Sequence, residues 1–336
     1  MPPKLVCSPA SGESRATDGT CFSLAALRLL ARRWNDAHAK SRIPDVAGLS
    51  AKALWKALRA KVRDDCGDRS EACWVERGGP LADASLHSGA FAPAKPAEWS
   101  KNPRTWLSTT DIDRVMAQYA AVPANRFRWL GAMPRDFREQ HPLGGCVTDR
   151  MCDLDVAAER ARGIDNLGAV FNLDRHDQSG SHWVAAFVCM DPASSVHGVN
   201  FSNSVGEPPV SEIRKWCEDV ATVLRCPFEI NRIVKQRKNS ECGVFSMYIL
   251  IRCLQSFRGL DATGRRLPAG KSAPSFAELC SEPYDDDGMV AMRDRLYRDA
   301  QAGGGAKKTS GRGEGDGRAA GAGERAAHRR VRGAGR

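Results

Sequence analysis

Apolar residues fall into helical stripes in the first third of the chain and into short continuous runs in its middle. From Cys21 onward, Leu27, Leu30, Ala31 and Trp34 share one helix face, with Thr20 as the expected cap. A second amphipathic helix is expected after Ser50, with Ala51, Leu54, Trp55, Leu58 and Val62 in register. Residues 78–105, rich in Gly, Pro, Ala and Ser, read as a connecting segment. After Ser108 a third stripe runs through Ile112, Val115, Met116 and Tyr119.

The period changes near residue 165. Leu167 to Leu173 reads as a short buried strand, Asp174 to Ser181 as a polar turn containing Gly180, and Trp183 to Met190 as a nearly continuous apolar strand. Val199 to Phe201 is placed to pair beside it. Ile213, Trp216, Cys217 and Val220 mark a helix, and Phe228 to Val234 a further strand. A buried helix begins near Cys242 and runs to about Leu254, and Met289, Met292 and Leu296 form a last stripe. Strands mixed with helices without strict alternation predict an α+β domain. The expected organisation is a flexible segment 1–20, a helical accessory region 21–105, a main α+β domain 106–300 and a disordered tail 301–336.

Composition narrows the class. The chain has 336 residues, 42% of them apolar and 27% charged, as in an ordinary globular protein. The longest apolar run, Val244 to Leu254, is interrupted by Ser246 and Arg252, too short and too polar to span a bilayer. Met1 to Asp18 shows no charged-then-apolar leader, so no secretory signal is expected. Twelve cysteines spread over this length read as free, mostly buried thiols rather than a disulfide framework. Cys66 with Cys73 and Cys146 with Cys152 are spaced too widely for zinc knuckles, and no metal or other cofactor is called for. Of the net charge of +10, the tail carries nine Lys/Arg against three acids, so most of the excess lies there. The tail is too poor in apolar bulk to pack.

Chemistry concentrates around Cys242. Polar residues Asn239, Ser240 and Glu241 lead directly into an apolar helix, placing the thiol in its first turn. There the unpaired N–H groups and the helix dipole are expected to lower the thiol pKa, and Gly243 permits close approach. A lone cysteine of this kind is more often a buried structural one. Gln236, six residues upstream, can offer a side-chain amide to an oxyanion beside the Cys242 N–H, although a lone Gln is usually a solvated strand end. His182 opens an apolar strand, where an imidazole is half exposed and suited to acid–base work. His176 and His197 read as surface histidines. Trp183 is either a core aromatic or a wall for the imidazole. Asn203 lies 21 residues after His182 and can hold its other ring nitrogen, or be a plain turn residue.

The order His-Asn-Gln-Cys, with Gln-x5-Cys-Gly at Gln236 and Cys242, resembles the ubiquitin-like-protein protease and adenovirus-protease superfamily, clan CE. Val170 to Val184 carries the His-Trp part of that pattern. Trp106 to Ile112, with Val115, Met116, Gln118 and Tyr119, and Cys21-Phe22 with Trp34-Asn35, are similar to one branch. That branch holds the polyprotein-processing cysteine proteases of large nucleocytoplasmic DNA viruses, including African swine fever virus and giant viruses. The resemblance covers about residues 20–300. It implies a mixed central sheet flanked by helices, catalytic His182, Asn203 and Cys242, an oxyanion donor at Gln236, and no membrane partner. It also implies cleavage of viral capsid or core precursors after small residues such as Gly-Gly, in the virion and host cytoplasm. Two other readings stay open: a protease acting on ubiquitin or a related modifier, and an inactive protease-fold virion protein. The basic tail, which the resemblance does not explain, suits non-specific DNA binding or simple solubilisation. Gly144-Gly145-Cys146 is a candidate self-cleavage site, with an ordinary loop turn the plainer reading.

Overall fold

The computed structural model describes residues 7–11, 19–67, 71–77, 79–140, 144–238 and 240–299. The expected tail, 301–336, lies outside them. Two helices open the chain. Helix α1 (Leu24–Ala37) buries Leu27, Leu30, Ala31 and Trp34, and α2 (Ala51–Lys61) buries Leu54 and Leu58. Ser50 caps α2 as its position requires, accepting from the Ala53 N–H at 3.3 Å. The cap of α1 is Ser23 rather than Thr20. Thr20 is buried instead, and its hydroxyl donates to the carboxylate of Glu71 at 3.1 Å. With residues up to Phe91 these helices enclose their own apolar cluster, in which Phe22 stacks on Trp74.

Three pairs of cysteines are disulfide-bonded: Cys7–Cys21, Cys66–Cys73 and Cys146–Cys152. This corrects the expectation of free thiols for six of the twelve. The cause is local. Cys66 ends one short helix and Cys73 begins the next, which brings their Cα atoms to 5.8 Å. Within the stretch read as flexible, residues 7–11 are packed, and Ser8 is buried and donates to Gln118 at 2.9 Å.

Helix α3 (Thr109–Ala120) starts at a capping box in which the Ser108 hydroxyl accepts from the Asp111 N–H and the Asp111 carboxylate accepts from the Ser108 N–H. It leads to a five-stranded mixed sheet in the order β1 (Phe127–Pro134), β2 (Asn166–Asn172), β3 (Trp183–Cys189), β4 (Gly198–Ser202), β5 (Phe228–Ile230). β1 pairs with β2 and β5 with β4 in parallel, and β3 runs antiparallel to both β2 and β4. β1 has no forerunner among the expected strands. It carries Arg128, a bulge at Trp129/Gly131 where Gly131 takes φ +110°, and a terminal Pro134, all of which break an apolar run. β5 stops at Ile230 instead of Val234, because the Asn231 carboxamide accepts from the Ile233 N–H and donates to the Ile233 carbonyl, folding the chain into a turn.

β3 is buried on both faces. Trp183, Ala185, Phe187 and Cys189 face a cluster built on α5 (Cys242–Phe257), while Val184, Ala186 and Val188 face Ile213, Trp216 and Val220 of α4 (Ser211–Leu224). Two-sided burial explains why this strand reads as one continuous apolar run. A last helix, α6 (Asp286–Leu296), packs through Met289 and Leu296 on the cluster around α5. The described residues form one unit, α+β, with a mixed sheet between helices. No helix among them is long and apolar enough to cross a membrane.

Candidate active site

The end of β4, the start of β3 and the start of α5 meet in one place because the sheet register sets His182 beside Asn203. The pairing Ala185 to Ser202 carries the two chains toward each other at this end of the ladder. His182 Nε2 lies 2.9 Å from Asn203 Oδ1. That oxygen can only accept, so Nε2 carries the proton and Nδ1 is left as the basic nitrogen. Asn203 is 1% exposed, and its Oδ1 also accepts from the Val205 N–H at 3.1 Å. The Asn231 side chain donates to the Asn203 carbonyl at 3.2 Å. The carboxamide therefore has one orientation, and so does the imidazole it holds.

Cys242 is the first residue of α5 and is 3% exposed. Trp183, the neighbour of His182, turns its backbone N–H to the sulfur, as do Gly243 and Cys242 itself. Burial nevertheless dominates and pushes the thiol above its ordinary value. The three N–H groups pull it down by less, and the Glu241 carboxylate adds to the rise. The expectation of a lowered thiol pKa is thus corrected for the resting protein, because removal from water outweighs the N–H groups at the sulfur.

Gly243 is needed for closeness. A Cβ there would stand 3.0 Å from Leu107 Cδ1 and 3.3 Å from Trp183 Cδ1. Trp183 is fixed in turn by its indole N–H, which donates to the Leu107 carbonyl at 2.9 Å. It is both a core aromatic and part of the wall beside Cys242.

Gln236 is 6% exposed and tied to the residue after Asn203. Its Oε1 accepts from the Ser204 hydroxyl at 2.6 Å, and Nε2 donates one N–H to the Lys238 carbonyl at 2.7 Å. A carboxamide has two such donors, so one remains for a further acceptor. Asp286, at the start of α6, accepts from the Arg237 and Lys238 N–H groups at 2.9 and 3.1 Å and pins this loop.

Several supporting residues had no forerunner in the sequence reading. Glu241 and Arg293 form a buried ion pair at 2.9 Å directly before the cysteine. Arg293 also donates to the Pro103 and Thr105 carbonyls and lies over the Trp99 ring. The only local signal was an acid at a helix start. His176, read as a plain surface residue, has its Nδ1 2.7 Å from Asp136, which raises the imidazole and fixes the loop that leads to His182. His197 lies in a turn, its N–H donating to the Ser194 carbonyl. Gly144 and Gly145 occupy left-handed turn conformations before Cys146.

No family model matches the chain. It is 26% identical to a thiol protease of Acanthamoeba polyphaga mimivirus, over 74% of this chain and 84% of that protein. It is 27% identical to the SUMO-1 cysteine protease of an African swine fever virus isolate, over 41% of this chain and 45% of the viral protein. The chain thus aligns with most of the first and less than half of the second. The crystal structure of the African swine fever virus protease superposes with a TM-score of 0.52 at 19% identity, covering 78% of this chain and 95% of that one. The α+β architecture described above is therefore that of a known protease fold.

Proposed function

We propose that this chain, a cysteine-type peptidase related to the mimivirus and African swine fever virus thiol proteases, is an endopeptidase that cuts viral capsid or core precursors after small residues such as Gly-Gly. The observation that supports it most is an Asn-held imidazole at His182 whose chain neighbour, Trp183, offers its backbone N–H to the sulfur of a cysteine at the head of a helix. In this reading His182 Nδ1 takes the Cys242 proton as the sulfur attacks the scissile carbonyl carbon. The S–C bond forms, and the carbonyl oxygen becomes an oxyanion held by the spare Gln236 N–H and the Cys242 N–H. His182 then protonates the departing amine, and water releases the acyl group. Cys242, 3% exposed beside Trp183, would take a thin chain most readily, which favours glycine before the scissile bond. The protease would work in the virion and host cytoplasm, with residues 301–336 anchoring it to packaged DNA.

A second reading, removal of a ubiquitin-like modifier, is favoured by the name SUMO-1 cysteine protease given to the African swine fever virus relative. Wild-type protein and Cys242→Ala should be incubated in parallel with large-DNA-virus structural precursors and with a ubiquitin-like precursor. Precursor fragments ending in Gly-Gly or Ala-Gly, absent with the variant, support the first reading. Cleavage of the modifier alone supports the second, and cuts mainly after bulky or charged residues contradict both.

A further inference from the structure

A cavity of about 1350 Å³ lies between helix Ala84–Ala90, α3 and the chain that follows α5. Leu254 and Arg258, at the far end of α5, line it. α5 spans sixteen residues from Cys242 to Phe257, roughly 24 Å along its axis, with Cys242 at the opposite end. The cavity is therefore distinct from the candidate active site.

Among the described residues its lining has five arginines, Arg114, Arg258, Arg265, Arg266 and Arg298, together with His87, and no Asp or Glu. They come from four separate parts of the chain. Arg298 is set by two backbone hydrogen bonds, its N–H to the Pro93 carbonyl and its carbonyl from the Lys95 N–H. Arg258 donates to the Asn125 carboxamide at 3.3 Å. Arg265 and Arg266 sit on a tight loop closed by the Asp261 N–H on the Arg265 carbonyl and the Leu267 N–H on the Gly259 carbonyl. Carboxylates stand behind the wall, Glu76 against Arg298 at 2.8 Å and Asp261 near Arg265, but they do not enter it.

Arg298 is the second, independent sign. It is 8% exposed, and its Nη2 serves Glu76 and His87, yet its Nε is buried with no hydrogen-bond partner among the described residues. A buried charged donor left unmatched is costly. Arg298 lines the cavity, and an anion there would offset the cost of holding this incompletely matched charge out of water.

We infer that this cavity binds a compact anion carrying clustered phosphates, such as a polyphosphate or a nucleoside triphosphate. Guanidinium forks match phosphate oxygens two at a time. The volume is somewhat above the usual ~300–1000 Å³ of small-molecule pockets, suiting a nucleotide-sized ligand better than a duplex, which lies along a surface. A short acidic peptide spreads its carboxylates along the chain, whereas phosphates bring several charges into one small body. Phe91 and Leu260 give the wall an apolar part that a base could cover.

The test is calorimetric titration of the full-length protein with inorganic tripolyphosphate, and separately with ATP, at fixed ionic strength. Duplex DNA and hexaglutamate serve as comparison ligands. One saturable site is expected for tripolyphosphate, with affinity roughly a hundredfold weaker in Arg114→Ala/Arg266→Ala. Both positions are exposed, so the variant should keep the wild-type circular dichroism. Tighter binding of ATP than of tripolyphosphate would assign the apolar wall to a base, and equal binding would assign the site to phosphate alone. Unchanged binding in the double variant would place the anion on the basic tail and overturn the proposal. Absence of a saturable site, or equally arginine-dependent binding of duplex DNA or hexaglutamate, would overturn it too.

Discussion

At the sulfur of Cys242, burial and hydrogen bonding oppose each other, and burial prevails. Burial therefore favours the protonated thiol at neutral pH. Its alkylation by iodoacetamide at pH 7 should be slower than that of a free cysteine and should climb as pH rises past the ordinary value of 9.0. A raised thiol pKa means the folded protein holds this proton where the unfolded one releases it, so the contribution is full below about 9 and lost above it. A pH-independent alkylation rate between pH 5 and 8 would instead indicate a standing thiolate–imidazolium pair. The other site residues should separate by role. Gln236→Ala should lower kcat about a hundred- to a thousandfold, as for one oxyanion donor. Asn203→Ala should cost less than His182→Ala, since it only holds the ring. Steady-state kinetics on one peptide ranks them, and a Gln236→Ala enzyme with wild-type kcat contradicts its role.

Among the elements, α5 depends on a contact distant in sequence. Arg293 on α6 neutralises Glu241 at the head of α5, and both are almost fully buried. Arg293→Ala strands a carboxylate beside Cys242 and should destabilise the fold by about 3–5 kcal/mol. Denaturant unfolding measures this, and a loss within experimental error would show that water replaces the guanidinium. The same contrast of near and far separates what the chain reveals from what it conceals. The start of α5 at Cys242 was legible because polar residues give way abruptly to an apolar run. β2 and β3 were legible because burial on both faces leaves them almost wholly apolar. β1 was not, since Arg128, Gly131 and Pro134 interrupt it and its burial comes from partners remote in sequence. Thr20 looked like a cap because Glu71, its actual partner, is 51 residues away. The order His182, Asn203, Gln236, Cys242 was legible; Asp286 and Arg293, which hold its supporting loops, were not. No local pattern marks a residue whose partner is some 50 positions off.

For the whole molecule, charge is the simplest handle. Residues 301–336 carry nine basic and three acidic side chains. If they anchor the protease to DNA by neutralising roughly six phosphates, log affinity should fall against log salt with a slope of about −5. Removing them should abolish most of that slope and leave cleavage of a short peptide unchanged. Equal salt dependence in both forms would rule out the anchor. With Cys242 as the proposed nucleophile and His182 as its base, the decisive measurement is mass spectrometry after incubation with a Gly-Gly peptide bearing an electrophilic C-terminus. One adduct, mapped to Cys242, should form quickly in the wild type, at least a hundredfold more slowly in His182→Ala, and not at all in Cys242→Ala. An adduct on another cysteine, or equal rates in wild type and His182→Ala, would contradict it.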